Sequence, residues 1–218
     1  VFDGNRKKIT GLYINTSNYY IGLFGYIKNG TVKNLGIADM NIIADSYTGG
    51  VVGLLIGGSV TNSYSTGKVN GNQFIGGIAG YIQENGSVTN SYSTCTVTGI
   101  NDIGGLVGNV YIEGRVTNCA ALNPSISGKK NIGRITGQND SDLSENISFS
   151  GMTGGGSDRT ASGLDGADMN AVTIRADGTL GGRFTIENGW TVENGKLPGF
   201  GETLEMPNYI VDVDDLKF

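Results

Sequence analysis

The residues of this sequence that could do chemistry are few, and two groups of them are acidic. They are Asp140, Asp142 and Glu145 in one turn and Asp212, Asp214 and Asp215 near the last residue. Hard cations such as calcium need several carboxylates, but neither group has the glycine-containing spacing of a known calcium loop. We therefore interpret both groups as solvated acidic turns, and the sequence predicts no metal and no cofactor.

The other candidates for catalysis are two cysteines, Cys95 and Cys119. A thiol becomes a nucleophile when a nearby base removes its proton, and the chain has no histidine to do so. No glycine-rich phosphate loop precedes a helical pattern, so nucleotide binding has no support. The net charge of −5 and the pI near 4.7 argue against nucleic acid and anionic membranes. No apolar run reaches the ~18 residues of a membrane span.

The elements that must position these side chains are copies of one repeated unit. Gly49–Gly53 and Ser59–Thr66 recur at 76–94 and 104–118, with weaker copies at 21–34 and 132–146. The asparagines show the period, since they lie 28 residues apart at Asn34, Asn62, Asn90, Asn118 and Asn146. A fixed period of this length is typical of solenoids, propellers and repeat arrays.

The contents of the unit predict the type of solenoid. β-branched and aromatic residues alternate with Gly and Asn-Gly, which indicates strands and turns and not helices. A propeller blade needs four strands and about 40 residues, whereas this unit suits three short strands. We predict an all-β protein, a parallel β-helix of about five coils stacked about 4.8 Å apart. Parallel connections are right-handed as a rule, so we expect a right-handed coil.

The repeat boundaries predict two parts of the chain. Residues 1–148 form the β-helix, with an incomplete coil at 1–20 and units near 21–48, 49–75, 76–103, 104–131 and 132–148. Residues 149–218 form a cap and an acidic tail packed on the solenoid. The runs 183–186 and 190–192 predict a hairpin or one further coil, and we expect Trp190 to cover the open end of the core.

Strand alternation predicts which columns face inward. Around Val60 it places Val60, Asn62 and Tyr64 on the inner face, so the five asparagines form an inward ladder of amide hydrogen bonds with a structural role. In the last unit Arg134 takes the place of Leu106. Of the two apolar columns Leu23/Val51/Ile78/Leu106 and Phe24/Val52/Ala79/Val107, one must point outward, and we expect residues 150–218 to cover it.

The repeat also predicts the state of the cysteines. Cys119 occupies the column of Ser63 and Ser91, and Cys95 occupies that of Gly67. A straight strand would separate the two by over ~10 Å, beyond the ~7 Å limit between Cα atoms in a disulfide. We therefore expect two free thiols.

One column could form a ligand face. Counting back from the glycine pairs places Tyr19, Tyr47 and Phe74 at equivalent corner positions, followed by Asp102. Aromatic rings suit the apolar faces of a sugar, and a carboxylate can accept hydrogen bonds from its hydroxyl groups. The alternative interpretation is an aromatic stack that only stabilises the corner.

The units resemble the GLUG motif, a short glycine-rich repeat of bacterial surface proteins that is also found in IgA-cleaving metallopeptidases. The opening Phe2–Asn5 and Ile9–Ile14 is similar to the coil that precedes such repeats, and Trp190–Gly199 resembles the segment that closes them. This resemblance implies a β-helical, adhesin-like protein on a bacterial cell surface, and it favours a short helix from Leu164 to Met169. It transfers no catalytic activity, because in the peptidases the zinc chemistry lies in a separate domain.

Two functions from different classes remain open. The first is a non-catalytic binding module for a host glycan or a surface or matrix protein, outside the cell. The second is a structural spacer that holds another domain away from the cell. A polysaccharide-active β-helix enzyme is a distant third. The start at Val1, inside a repeat-like pattern, indicates a piece of a larger chain.

Overall fold

The computed structural model describes residues 1–211 and forms a parallel β-solenoid of about five coils. Its strands make one 15-stranded sheet and one four-stranded sheet. Each strand pairs in parallel with its equivalent in the next coil, so Val32, Val60, Val88 and Val116 stack in one column. These valines are buried. The predicted fold class is therefore confirmed, and this column faces inward as expected.

The early coils contain long strands that bend at the corners, and the later coils contain shorter segments. The early strands are β1 (Phe2–Thr10), β2 (Tyr13–Asn15), β3 (Phe24–Ile43), β4 (Thr48–Gly49), β5 (Val52–Asn70), β6 (Gln73–Gly76) and β7 (Ala79–Thr89). The next are β8 (Tyr92–Ser93), β9 (Thr96–Thr98), β10 (Asn101–Gly104), β11 (Val107–Val110), β12 (Arg115–Thr117), β13 (Ala120–Ala121) and β14 (Ile126–Ser127). The last are β15 (Lys130–Gly133), β16 (Thr136–Asn139), β17 (Asp142–Ser144), β18 (Ile147–Phe149) and β19 (Ala167–Met169), followed by helix α1 (Ala171–Ala176).

The coil that starts at β10 has five strand segments, β10 to β14, where the sequence predicted three per coil. The extra divisions come from corner residues in the left-handed backbone region. Glu113 and Asn118 have φ angles of 59° and 53°. A left-handed residue turns the chain and ends the regular alternation of a strand. The prediction of three strands per coil assumed straight strands, so it did not include these corners.

The asparagine column occupies such a corner. Asn34, Asn62, Asn90 and Asn118 have φ angles of 54°, 45°, 46° and 53° and are half-buried. Asparagine tolerates this conformation better than most residues. These side chains were predicted on the inner face, but they lie at the corner, where the left-handed residue interrupts the alternation of the strand. The next residues, Ser63, Ser91 and Cys119, are fully buried instead.

The asparagine ladder is nevertheless present in two pieces. Asn62 Nδ2 donates to Asn34 Oδ1 at 3.5 Å, and Asn118 Nδ2 donates to Asn90 Oδ1 at 2.7 Å. Asn146 does not belong to it, because the last coil is one residue shorter at this point and Thr117 pairs with Ser144. Glu145 takes the corner position, with a φ of 55°. Asn146 is buried and donates to the Val116 carbonyl at 2.7 Å.

The glycine motif marks a place where two backbone layers meet. A Cβ atom on Gly76 would lie closer than 3.0 Å to the Ala79 and Leu106 backbone, and one on Gly80 would meet the Thr48 nitrogen at 2.5 Å. Both apolar columns inside this turn are fully buried from Val51 and Val52 onward, whereas Leu23 and Phe24 of the first unit are half-buried. The expectation that one of them points outward is wrong, because the turn between the two sheets does not follow the period-2 rule of a straight strand.

The C-terminal residues cover the column that contains Tyr64 and Tyr92. Tyr64 and Tyr92 stack with ring centroids 5.4 Å apart, and the Tyr92 hydroxyl donates to the Pro198 carbonyl. Trp190 lies on them, with its ring 5.9 Å from that of Tyr92 and 4.4 Å from that of Phe200. Trp190 is buried. It therefore closes the side of the solenoid and not the open end, where the sequence analysis placed it.

The remaining predictions for the C-terminal part are also corrected. Residues 167–169 pair in parallel with β18 and continue the sheet, whereas the helix starts at Ala171, with Asn170 as its N-cap. Residues 183–186 form no strand. The antiparallel bridges instead join Thr191 to Gly199 and Leu197 to Leu204. Within residues 1–211 no helix is long and apolar enough to cross a membrane.

Arg134 joins the last coil to the C-terminal part. The structure aligns Ile135, and not Arg134, with Leu106, because Leu106 N donates to the Ile135 carbonyl. Arg134 stands in the glycine column and is buried. Its guanidinium lies 2.7 Å from an Asp168 oxygen and 3.8 Å from an Asp165 oxygen. Although burial raises the pKa of Asp168, the hydrogen bonds and charges of Arg134 and Arg159 lower it by more, so the net shift is downward.

The close approach at Gly76 predicts a large steric effect. The substitution Gly76→Ala should destabilise the protein by at least about 2 kcal/mol, because the new methyl group meets backbone atoms that cannot move independently. Urea denaturation measures the change. The exposed variant Lys68→Ala should stay within about 0.5 kcal/mol. Equal midpoints for the two variants would contradict the packing described for the glycine corner.

The corner conformation predicts an unusual order of substitutions at Asn90. Asn90→Ala should cost about 1–2 kcal/mol from its left-handed φ, in addition to the lost hydrogen bond to Asn118. Asn90→Gly loses only the hydrogen bond, because glycine adopts this φ freely. The glycine variant should therefore melt at a higher temperature than the alanine variant. The opposite order would show that the backbone at Asn90 is not left-handed.

Candidate functional site

The predicted ligand face lies at the corner before the four-stranded sheet of β4, β6, β10 and β15. Tyr47 directly precedes β4, whereas Phe74 and Asp102 are the second residues of β6 and β10, and the three φ angles are 56°, 58° and 56°. The left-handed corner places the three side chains in one column, since Ile75 pairs with both Thr48 and Ile103. The sequence analysis correctly aligned these three residues.

Tyr20, and not Tyr19, completes this column. Ile21 bridges to Thr48, which aligns Tyr20 with Tyr47, and the φ of Tyr20 is 59°. Counting back from the glycine pairs missed this by one residue, because Ile21 aligns with Thr48 and not with Gly49. Tyr19 lies beside the column and is 57% exposed, with its ring 6.4 Å from that of Tyr20. Tyr19 therefore remains at the site but holds a different place in it.

The rings of the column touch one another. The Tyr20 and Tyr47 centroids are 4.8 Å apart, and those of Tyr47 and Phe74 are 4.6 Å apart. Such contacts stabilise the corner and cover much of each ring face. Burial and the nearby Tyr20 raise the pKa of Tyr47, so its hydroxyl stays protonated at neutral pH and can donate a hydrogen bond.

A groove of about 570 Å³ runs beside this column, and we call it the corner groove. Its lining combines aromatic and polar side chains from four successive coils. The lining residues are Tyr19, Asp45, Ser46, Tyr47, Asn72, Gln73, Phe74 and Ile100. Tyr19, Asn72 and Gln73 are exposed. The groove can therefore offer both apolar area and hydrogen-bonding groups to a ligand.

Sequence reasoning missed several residues of this surface. Tyr81 comes from the neighbouring column, and its ring lies 5.6 Å from that of Tyr47 and 5.2 Å from that of Phe74. Asp45 and Asn72 form a side-chain hydrogen bond of 2.8 Å. The sequence signal for this pair was the 27-residue step between two polar residues, each placed two positions before a column aromatic.

The column ends in a polar cluster. Asn131 Nδ2 donates to Asp102 Oδ1 at 2.6 Å and to Gln138 Oε1 at 3.2 Å. Asp102 is buried, with an exposed fraction of 8%. Its carboxylate thus serves a side-chain network and is less accessible than the sequence analysis supposed.

The acidic turn shows no metal site. Asp140 and Asp142 border a groove with Arg115, whereas Glu145 lies at another corner and its carbonyl accepts from Arg183 at 3.0 Å. Among the described residues no group of three acidic, cysteine or histidine side chains could hold a metal ion. Asp212, Asp214 and Asp215 lie outside the described residues.

The two cysteines are free, as predicted, and both are buried. Burial raises the pKa of Cys95 to about 11 and that of Cys119 to about 12. A thiol with such a pKa is almost entirely protonated at neutral pH and is a poor nucleophile. Hydrogen bonds around both thiols, and the charge of Arg183 near Cys119, lower the two pKa values, but burial raises them by more.

Comparison with known proteins identifies the repeat. Residues 44–70 and 99–127 match the family model described as the GLUG motif. The chain carries GLUG motifs. The two matched segments end one residue after Val69 and Ile126, which stack in one buried column, so one GLUG motif corresponds to about one coil of the solenoid.

Two further proteins are similar to the GLUG-containing chain. Over 82 residues it is 38% identical to halomucin of Haloquadratum walsbyi, which covers 37% of this chain and 1% of halomucin. The chain thus spans only a small fraction of that archaeal relative. A crystal structure from Bacteroides ovatus, of a protein provisionally named an immunoglobulin A1 protease, matches with a TM-score of 0.65 and 17% identity. The match covers 92% of this chain and 77% of the other, and it shows the fold alone.

The burial of the cysteines predicts that they do not react in the folded protein. A water-soluble disulfide reagent at pH 8 should label neither Cys95 nor Cys119 in the native state and both in denaturant, since both thiols are buried with raised pKa values. A Lys68→Cys variant, with one thiol on the surface, should be labelled at once and serves as the control. Rapid native labelling of the unaltered chain would contradict the burial of both thiols.

Proposed function

We propose that this chain is a non-catalytic, adhesin-like module of an extracellular surface protein that binds a host or matrix ligand through the corner groove. The observation that carries the proposal is the groove itself, in which exposed Tyr19 stands beside an ordered aromatic column and a fixed pair of polar side chains. Small-molecule and sugar sites commonly combine apolar rings with a few oriented polar groups.

The comparisons support a surface location. GLUG motifs are present, and the halomucin segment shares 38% identity with the chain. A repetitive solenoid with a small charged fraction also suits an elongated surface module. The archaeal source of halomucin gives no preference for a bacterial cell, so the proposal does not depend on one.

Catalysis is not part of the proposal, although a structural neighbour is named as a protease. The chain has no histidine, and burial suppresses the reactivity of both thiols. Incubation of the purified chain with immunoglobulin A1, followed by gel electrophoresis, should show no cleavage. Cleavage that persists after a second chromatographic purification would overturn the non-catalytic assignment.

A structural spacer is the second candidate, and the ring contacts in the corner column favour it. Centroid distances of 4.6 and 4.8 Å show that Tyr20, Tyr47 and Phe74 already use their faces to stabilise the corner. A test of binding should therefore avoid these three residues. Tyr19 is a better probe, because it is exposed and stands beside the column.

Binding through the corner groove predicts a specific effect of Tyr19→Ala. On a glycan array and in a cell-adhesion assay, the variant should bind roughly fivefold more weakly than the unaltered chain, as expected for the loss of about 1 kcal/mol of aromatic contact. Its melting temperature should hardly change. The control Tyr13→Ala removes a tyrosine that is 64% exposed outside the groove, and it should bind normally.

The spacer would be supported by a different set of results. Absence of binding in both assays at high protein concentration would reject the adhesin-like role. Equal losses from Tyr19→Ala and Tyr13→Ala would place recognition outside the corner groove.

A further inference from the structure

Building on the proposed function, we infer that the corner groove selects an uncharged, linear polysaccharide that runs along the solenoid axis, and that Asp45 sets this selectivity. The groove crosses successive coils. Its extent along the axis, the hydrogen bonds of Asp45 and the charges around it support this choice of ligand.

The lining repeats along the axis. Asn72 N donates to the Asp45 carbonyl and Ile100 N donates to the Asn72 carbonyl, so these residues form one column beside the aromatic one. Consecutive coils lie about 4.8 Å apart, which is close to the length of one sugar unit in an extended chain. A polymer parallel to the axis can therefore meet one residue of this column at each coil, polar at Asp45 and Asn72 and apolar at Ile100, whereas a compact ligand would meet only part of the column.

The Asp45 carboxylate is held in position by hydrogen bonds to one of its two oxygens. Ser46 Oγ and Asn72 Nδ2 both donate to its Oδ1, at 2.9 and 2.8 Å. Its backbone is also fixed, since Asp45 N donates to the Asn18 carbonyl at 3.1 Å. Within residues 1–211 no hydrogen bond to Oδ2 is seen, which leaves this oxygen for a ligand. A carboxylate held in this way suits a sugar hydroxyl, because no side-chain entropy is lost when the donor arrives.

The charges around the groove disfavour an anion. Asp45 is the one Asp, Glu, Lys or Arg side chain in the lining. Asp102 adds a second negative charge beyond Phe74. Lys129 and Lys130 continue the columns in a later coil. They lie one coil beyond Ile100, at the far end of the groove, but about three coils from Asp45, roughly 14 Å away and beyond the screening length of about 8 Å in physiological salt, so they do not offset the charge of Asp45 where it meets a ligand.

The exposed ring of Tyr19 suits the same ligand. Tyr19 is 57% exposed and lies where the groove begins. Its ring offers apolar area at a low entropic cost, which suits the C–H face of a neutral sugar. The groove thus presents a ring, a carboxylate and amide groups in sequence along the axis.

The inference is tested with matched oligosaccharides. The probes are linear oligomers of glucose, mannose and galactose, two to six units long, and the corresponding oligomers of their uronic acids, which differ by the oxidation of C6 to a carboxylate. At least one neutral series should bind with an affinity that rises with length to about four units and then levels off. The matching uronate should bind at least tenfold more weakly, because its carboxylate faces Asp45.

Asp45→Asn separates charge from shape. This variant keeps the size and one acceptor oxygen of the side chain, so it should bind the neutral series about fivefold more weakly and lose most of its discrimination against the uronate. Asp39→Asn is the matched control, since Asp39 is an exposed aspartate at another corner with a φ of 53° that asparagine also tolerates. It should leave both affinities unchanged.

The possible failures can be told apart. If binding depends on Tyr19 but the ligand is a uronate, a sulfated glycan or a protein, the neutral-polysaccharide inference is wrong while the proposed binding function stands. The same holds if Asp45→Asn and Asp39→Asn behave alike, or if affinity does not depend on chain length. If no probe binds and adhesion does not respond to Tyr19→Ala, the proposed function itself fails.

Discussion

The rest of this structure depends on the close approach of two backbone layers at the glycine corner. At Gly76 and Gly80 there is no space for a Cβ atom, because backbone atoms of the neighbouring strand and coil lie within 3 Å of where it would be. Any slip in register would bring a larger side chain into this contact. The corner therefore aligns the coils, and every column of the solenoid follows from that alignment. Glycine is required here by steric contact and not by a positive φ.

Left-handed corners then decide which side chains face solvent. The asparagine column and the column of Tyr20, Tyr47 and Phe74 have the same type of backbone, with φ angles between 45° and 59°. The asparagine column forms a hydrogen-bonded ladder, and the aromatic column forms a stack of rings beside the corner groove. The candidate site is therefore built on the same left-handed backbone corner that shapes the fold, with aromatic side chains in place of asparagines.

Much of the fold could be predicted from the sequence, because equivalent residues of successive repeats make equivalent contacts. The 28-residue period of the asparagines and the valine column indicated a parallel β-helix, and the position of the cysteines indicated free thiols. The errors arose where the period changes. The spacing between paired residues is 27 between Ile21 and Thr48, 29 between Gly104 and Gly133, and 27 between Thr117 and Ser144. Arg134, Asn146 and Tyr19 were misplaced by one residue for this reason.

By itself the sequence determined the repeating architecture, the inward valine column and the equivalence of Tyr47, Phe74 and Asp102, since each of these depends only on spacing along the chain. Tertiary structure alone decided what lies opposite each column. Trp190 and Phe200 cover Tyr64 and Tyr92 because the C-terminal residues fold back along the side of the coils. Asp45 and Asn72 meet beside the aromatic column because left-handed corners bend the chain there, and the pattern of a straight strand contains no such bend.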